Sequence, residues 1–355
     1  MLVNEMDHVR IRSDTLAPNE QDQSVSKSMK DYNQNSSPQL GIIKRGLNSI
    51  KLAMLNLPEN EGSITIVDFG CSQGKNSIFV VNNLLDEIAL SLHYSRNIEK
   101  LSVYHIDLPD NDFEALREIL IDPNLSYLNH NLVESKNINV QIECVGKTYY
   151  EQVLNSNSVD MAFCYTSLHW MPEYCPTPYG LAYDQRYNDD ELTDWFTTMS
   201  DNYLAKWLDL RYNELKQYGI ISFNIMTHSD CSDWINPSWK RVFQKRSLNY
   251  LDFNKVYIPI YMRSTSSIKR VLNNLQDHFK IISWNSDNTN IHLPKAGIRS
   301  VFFNQIMVGL SKYPEYFKTE ASKLELYEEF ENEVFGNSDF IDTNNTFEWI
   351  VLQKL

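Results

Sequence analysis

Nothing in the 355-residue chain approaches the ~18 consecutive apolar residues that cross a bilayer, so no membrane partner is expected. Met1-Leu2-Val3-Asn4-Glu5-Met6-Asp7 has neither the basic nor the apolar region of a secretory signal, and a cytoplasmic location is the expectation. Five cysteines, Cys71, Cys144, Cys164, Cys175 and Cys231, are odd in number and form no CxxC pair, which reads as reduced thiols. Basic charge is scarce. A net charge of -14 argues against a nucleic-acid partner, whose phosphates need clustered Lys and Arg. The histidines show no metal-ligand spacing, so no catalytic metal is expected. Internal repeats and extended low-complexity tracts are missing too.

What is present is core material, with 42% apolar residues in a chain longer than most single domains. One large core with an appended lobe is the reading. The chain is organised around Ile64-Thr65-Ile66-Val67-Asp68-Phe69-Gly70-Cys71-Ser72-Gln73-Gly74-Lys75-Asn76-Ser77, a buried strand, a glycine turn and the opening of a helix. Gly70 and Gly74 bracket a turn where a Cβ would hold a ligand away, and Ser72, Asn76 and Ser77 are N-cap candidates.

In chain order, residues 1–25 read as a flexible tail. The segment from Lys27 to Gln39 is too polar for a core element. A helix is expected from Leu40 to Leu55, then a first strand from Ser63 to Phe69 and a long helix from Lys75 to Leu92. Further strands are expected at 101–107, 138–144, 159–165 and 220–226. A helix at 111–121 takes Asp110 or Asn111 as cap, and one at 190–218 ends on Gly219 as C′ residue. Residues 264–275 read as a helix, with two last strands at 279–284 and 347–355. This alternation implies a mostly parallel, doubly wound α/β sheet with helices on both faces. The expected domain comprises 26–226, 264–285 and 346–355, while 227–263 and 286–345 form a discontinuous helical cap, since they exceed normal connection lengths.

The glycine turn alone is weak evidence: it is neither GxGxxG nor a P-loop. Strand two, however, ends at Asp107, a carboxylate suited to ribose hydroxyls. The pair indicates a nucleoside cofactor, and the missing pyrophosphate fingerprint favours S-adenosylmethionine over NAD.

Six ordered blocks make the reading specific. Asp68, Gly70, Cys71, Ser72, Gly74 and Asn76 match DxGCSxGxN, and Leu108-Pro109-Asp110-Asn111-Asp112-Phe113 matches LPxNDFN. Tyr32, Asn35, Ser36 and Gln39 match SYxxNSxxQ, and Ser167-Leu168-His169-Trp170-Met171 matches SLHWL. Trp207-Leu208-x-x-Arg211-x-x-Glu214-Leu215 and Val256-Tyr257-Ile258-Pro259-x-Tyr261 complete the set. In these blocks the chain resembles the SABATH family of S-adenosylmethionine-dependent carboxyl methyltransferases. The resemblance implies a Rossmann-like class I methyltransferase fold with a seven-stranded sheet. It gives Tyr32, Asn35, Asp68, Gly70, Cys71, Asn76, Asp107, Leu108, Thr148 and Tyr149 as cofactor contacts, with Tyr149 against the adenine. It gives Gln39 and Trp170 as the residues that hold a substrate carboxylate, with Thr166 and Tyr257 beside the acceptor. It also allows a homodimer.

Amide and indole N–H groups are neutral donors, so they can hold a carboxylate without the charge of an arginine, which would lower its nucleophilicity. A carboxylate of pKa ~4 is already ionised at neutral pH, so its methylation needs no general base. His169 beside Trp170 is either a general base for phenol or amine methylation or, more often, a hydrogen-bonded wall residue. Some of Trp234, Trp239, Tyr257, Tyr261, Phe302 and Phe303 are expected to line the acid pocket. The chain departs from the family in lacking a glycine-rich lead-in before Tyr32, in Pro38, in Thr166 where members often have Tyr, and in the Tyr174–Tyr179 loop. The expected function is methyl-ester formation on a small organic acid. The alternatives are N- or phenolic O-methylation, or a non-catalytic cofactor-binding protein, with an NAD enzyme disfavoured.

Overall fold

Strand segments rich in β-branched residues carry the fold. The computed structural model describes residues 9–13, 29–59, 62–91, 97–172, 180–184 and 190–355. The strands are β1 (Val9–Ser13), β2 (Ser63–Phe69), β3 (Lys100–Asp107), β4 (Asn139–Gly146), β5 (Val159–Cys164), β6 (Leu215–Ser229), β7 (Phe279–Pro294) and β8 (Phe340–Lys354). Their order is β1-β4-β3-β2-β5-β6-β8-β7, parallel from β1 to β6, with β8 antiparallel to both β6 and β7. Seven of these strands give the Rossmann-like methyltransferase arrangement. The eighth, β1, comes from the segment expected to be a tail: Val9–Ser13 pair with Ile142–Gly146 along the edge.

The helices are α1 (Tyr32–Asn35), α2 (Ser37–Arg45), α3 (Leu47–Leu55), α4 (Lys75–Leu90), α5 (Phe113–Leu120) and α6 (Asn131–Lys136). Then come α7 (Asp190–Glu214), α8 (Ser232–Lys245), α9 (Thr265–Asn274), α10 (Lys295–Leu310) and α11 (Glu320–Phe335). Leu204, Trp207 and Leu208 of α7 and Ile268, Val271 and Leu272 of α9 cover one face of the sheet. The other face is covered by α2 to α6, and that core runs on into the buried faces of α8, α10 and α11, where Trp239 packs on Phe330. No helix among the described residues is long and apolar enough to cross a membrane.

Several expected boundaries move for identifiable reasons. The Leu40–Leu55 helix is two helices that part at Gly46, whose missing side chain leaves room for the Trp349 ring. The polar segment before it contains α1, whose Tyr32 is buried. The N-cap of α5 is Asp112, which accepts from the Ala115 N–H at 3.1 Å. Gly219 does not end α7; the helix stops at Glu214, and Gly219 lies in β6 at an irregularity in its pairing with β5. Residues 286–294 and 340–345, expected in the cap, extend β7 and β8 as a long antiparallel pair. The Tyr174–Tyr179 loop and Cys175 lie outside the described residues.

Candidate active site

The loop after β2 is shaped by backbone before side chains. Gly70 and Cys71 both donate to the Ile106 carbonyl, at 2.8 and 3.1 Å. Gly70 has φ +95°, and a Cβ on it would collide with Ser167, so the close approach of the two loops requires glycine. Ser72 and Thr166 hold positive φ without being glycine, a cost that surrounding contacts must sustain. The Ser72 N–H donates to Asp107 Oδ2 at 2.6 Å, Leu108 N–H to Oδ1 at 2.8 Å, and Asn111 Nδ2 to the Ser72 carbonyl at 2.8 Å. Thr166 N–H donates to Asn224 Oδ1 at 2.7 Å.

Asn33 was not singled out in the sequence, yet it latches the loop. Its N–H and Nδ2 donate to Gln73 at 3.0 and 2.6 Å, and its Oδ1 accepts from Lys75 N–H at 3.0 Å. The helix therefore starts without the expected Ser72, Asn76 or Ser77 cap: Gly74 is the N-cap residue, and Asn33 supplies the acceptor. Asn35, the expected contact two residues on, turns back to the Asp31 carbonyl and lines none of the clefts below.

Three adjacent cavities that share wall residues lie around this loop. The first, about 690 Å³ with its open mouth included, is walled by Gly70, Ser72, Asp107, Leu108, Thr148 and Tyr149 among others. The second, about 300 Å³ with its open mouth included, lies over Asp68, Gly70, Cys71 and Asn76. The third, about 830 Å³ with its open mouth included, is mostly apolar and carries Gln39, Thr166, His169 and Trp170 on its wall. Tyr32 and Thr166 border all three, and Trp170 borders the first and third. The sequence-selected residues thus converge, with Asn35 and Tyr257 left out. Tyr257 is buried in an aromatic cluster with Met171, Tyr183, Phe196 and Tyr261. Trp234 and Phe302 reach the third cavity, whereas Trp239, Tyr261 and Phe303 are taken up in packing.

Electrostatics divide the cavities. Asp68 is buried, and burial pushes its carboxyl up to about 8 against a hydrogen bond from Ser77, with the nearby Asp107 charge adding to the rise. Ser77 Oγ lies 2.8 Å from His105 Nδ1, whose Nε2 lies 3.0 Å from the Tyr127 hydroxyl. Burial lowers His105 to about 3, which keeps that chain neutral. No Lys or Arg lines the third cavity among the described residues. Burial and the Arg263 charge lower His169 to about 3, so at neutral pH it carries no proton charge and is a feeble base.

Buried arginines fix the loops. Arg211 donates to the Tyr149 and Glu151 carbonyls at 2.9 and 3.1 Å and pairs with Glu214, whose Oε1 accepts from Val153 and Leu154. The Trp207-to-Leu215 block is therefore a staple under the Thr148–Tyr149 wall, one shell away from any ligand. Arg263 donates to the Leu168 and Ser200 carbonyls, holding the His169–Trp170 segment, and Trp170 bridges to Ile260 in antiparallel sense. No group of three or more His, Cys, Asp or Glu among the described residues could hold a metal ion.

Residues 24–297 match the family model described as SAM dependent carboxyl methyltransferase. The chain belongs to this SABATH carboxyl methyltransferase family. It is 25% identical over 226 residues to a probable jasmonic acid carboxyl methyltransferase 2 of Theobroma cacao, covering 57% of this chain and 59% of that protein. It is 27% identical over 165 residues to loganic acid O-methyltransferase of Catharanthus roseus, covering 43% and 41%. The chain thus spans somewhat more than half, or less, of the curated relatives it matches. A solved loganic acid methyltransferase with SAH superposes with a TM-score of 0.69 at 18% identity, over 93% of this chain and 98% of that one.

The SABATH cofactor is S-adenosylmethionine, and the residues present fit it. Both amide atoms of Asn76 are buried without a hydrogen-bond partner at the second cavity, a cost that a polar ligand group relieves. Gly70 borders both the first and the second cavity.

Proposed function

We propose that the chain forms the methyl ester of a small organic carboxylic acid. The observation that carries this reading is the third cavity: apolar, free of Lys and Arg among the described residues, bearing Gln39 and Trp170, and joined to the cofactor clefts at Tyr32, Thr166 and Trp170. When bound, S-adenosylmethionine supplies an electrophilic methyl group on a sulfonium. Asp107 and Leu108 would receive its ribose, Thr148 and Tyr149 its adenine, and Asp68 and Asn76 its charged amino-acid end.

Gln39 and Trp170 would hold the acceptor carboxylate through neutral N–H donors. Gln39 Oε1 is buried without a partner, so its terminal amide is free to turn and present its N–H₂. Neutral donors orient the carboxylate while leaving its charge available for attack. The apolar wall excludes water, which would otherwise stabilise separated charges more than the transition state, in which they cancel. Positioning supplies the rest of the rate. We read α8, α10 and the β7–β8 extension as the cap that closes the pocket.

His169 serves as a wall residue in this scheme, because a histidine held near 3 is too weak a base for a phenol or an ammonium. The test is methyl transfer from isotopically labelled cofactor to a broad panel of carboxylic acids, phenols and amines. Base-labile label on acids is the expected result; label confined to phenols or amines would replace this reading with the alternative.

A further inference from the structure

Asp68 needs its charge in the scheme above, and the fold gives it no cation. No Lys or Arg lines its cavity among the described residues, and the nearby Asp107 opposes the charge. The other titratable groups that feel Asp68 are the phenols of Tyr32 and Tyr165 and the thiols of Cys71 and Cys164. What Asp68 has instead is a row of hydrogen-bonding side chains. Asp68 on β2 and His105 on β3 are register partners, so their side chains stand on one face of the sheet. Ser77 of α4 reaches both: it hydrogen-bonds Asp68, and its Oγ lies 2.8 Å from His105 Nδ1. His105 Nε2 lies 3.0 Å from the Tyr127 hydroxyl. All four side chains are buried, His105 and Tyr127 completely.

Only two proton arrangements make every contact in this row a hydrogen bond. Burial keeps His105 neutral, and a neutral imidazole has one N–H donor and one acceptor nitrogen. With the proton on Nδ1, His105 donates to Ser77 Oγ, the Ser77 O–H donates to Asp68, and the Tyr127 O–H donates to Nε2. Every hydrogen then has an acceptor, and the row ends on a carboxylate that only accepts, which is ionised Asp68. With the proton on Nε2, the Tyr127 oxygen accepts it and the Ser77 O–H is given to Nδ1. Ser77 Oγ can then only accept from Asp68, which carries its proton. That arrangement strands the Tyr127 hydrogen, because His105 is the hydroxyl's one hydrogen-bond partner among the described residues. A buried, unpaired donor is costly, so the row favours the charged carboxylate. The two arrangements differ by one proton, exchanged between Asp68 and solvent, while Ser77, His105 and Tyr127 keep one each.

We infer that Ser77, His105 and Tyr127 are positioning residues, a one-way row of donors that holds Asp68 as a carboxylate for the cationic end of the methyl donor, and that His105 changes from the Nε2–H to the Nδ1–H tautomer when that donor binds. This rests on the assignment of Asp68 to the amino-acid end of S-adenosylmethionine and adds the residues behind it.

The experiment uses the full chain with isotopically labelled histidine nitrogens, at neutral pH, with and without S-adenosylhomocysteine, which keeps the donor's ammonium group. Proton–nitrogen correlation spectra distinguish a protonated from an unprotonated ring nitrogen, and the His105 signals are those lost in His105→Gln and displaced in Ser77→Thr. The expected result is Nε2–H in the free protein and Nδ1–H in the complex. In calorimetry Ser77→Ala is expected to weaken S-adenosylhomocysteine binding about tenfold, Asp68→Asn at least as much, and Ser77→Thr, which keeps the hydroxyl, far less. Melting temperatures identify a variant that has failed to fold, and the wild-type spectra need no variant for the comparison of free and bound states. One tautomer in both states, or an unchanged affinity in folded Ser77→Ala, would overturn this inference alone. An unchanged affinity in Asp68→Asn would overturn the assignment of Asp68, and this inference with it.

Discussion

The clefts we assign to the cofactor centre on two short runs, Asp68 to Asn76 and Asp107 with Leu108, held by backbone N–H groups, with Gly70 and Cys71 on Ile106 and Ser72 and Leu108 on Asp107. The acceptor cavity draws instead on α1, α2, β6, β7, β8, α8 and α10, with apolar side chains in place of a hydrogen-bonded loop. On the reading proposed above, the first side needs fixed dipoles to hold a nucleoside, which ties it to one backbone arrangement. The second needs volume and a few donors, which many sequences provide. One family can therefore keep its methyl donor and change its acids.

The largest effect expected from breaking this contrast lies under the cofactor side. Arg211→Met leaves Glu214 buried without its cation and frees the Tyr149 and Glu151 carbonyls, at a cost of ~3–5 kcal/mol visible in denaturant melts. Gly70→Val places a side chain against Ser167 at a positive φ, and calorimetry is expected to show cofactor affinity lowered about 100-fold. An unchanged affinity would remove this loop from the donor site. On the other side, Trp170→Ala and Gln39→Ala should lower kcat/KM for the acid by roughly 30-fold while cofactor affinity stays nearly constant. Loss of cofactor binding in both would assign them to the wrong cavity.

Three smaller effects sharpen the electrostatic half of the comparison. In the free protein Asp68 is raised to about 8, far above the ordinary ~3.9, so between pH 6 and 8 it is mostly protonated. A cationic cofactor binds the ionised form better, so affinity should climb by up to about tenfold per pH unit towards 8, and Asp68→Asn should flatten the curve. His169 and His105, both lowered to about 3, act on stability instead: the unfolded chain takes up protons below pH ~6.5 that the fold refuses, so stability is lost as pH falls. Melting temperature should fall as pH drops from 6.5 to 4, less steeply in His105→Gln. The smallest effect is expected on the rate profile, where kcat/KM of His169→Gln should show no lost titration near 6.5.

The same contrast explains what the sequence made legible. Asp68 to Asn76 and Asp107 with Leu108 can be read directly because strand, turn and following residues are contiguous there, and the mostly parallel sheet follows from the alternation of strands and helices, whereas the strand order needs the structure. The family motif points to Asn35 rather than Asn33, and only the fold shows which amide faces Gln73. The β7–β8 extension reads as cap in the sequence because 286–345 exceeds a normal connection length, and its Asn-, Asp- and Thr-rich ends carry little strand preference. Cross-strand pairing over 340–354 overrides that weak local preference. Tyr257 was drawn to the pocket by its motif, yet the aromatic cluster with Tyr183 and Tyr261 claims it. Arg211 and Glu214 carried a recognisable pattern whose purpose, a staple under Tyr149, is visible only in three dimensions.

The most direct test of the central claim is a product analysis. Purified full chain, methyl-labelled S-adenosylmethionine and a broad acid panel should yield a labelled product that hydroxylamine or mild base releases, as a methyl ester requires. The yield should drop in Trp170→Ala at saturating cofactor. A labelled product that survives both treatments, or an unchanged yield in that variant, would contradict a carboxylate held by Gln39 and Trp170.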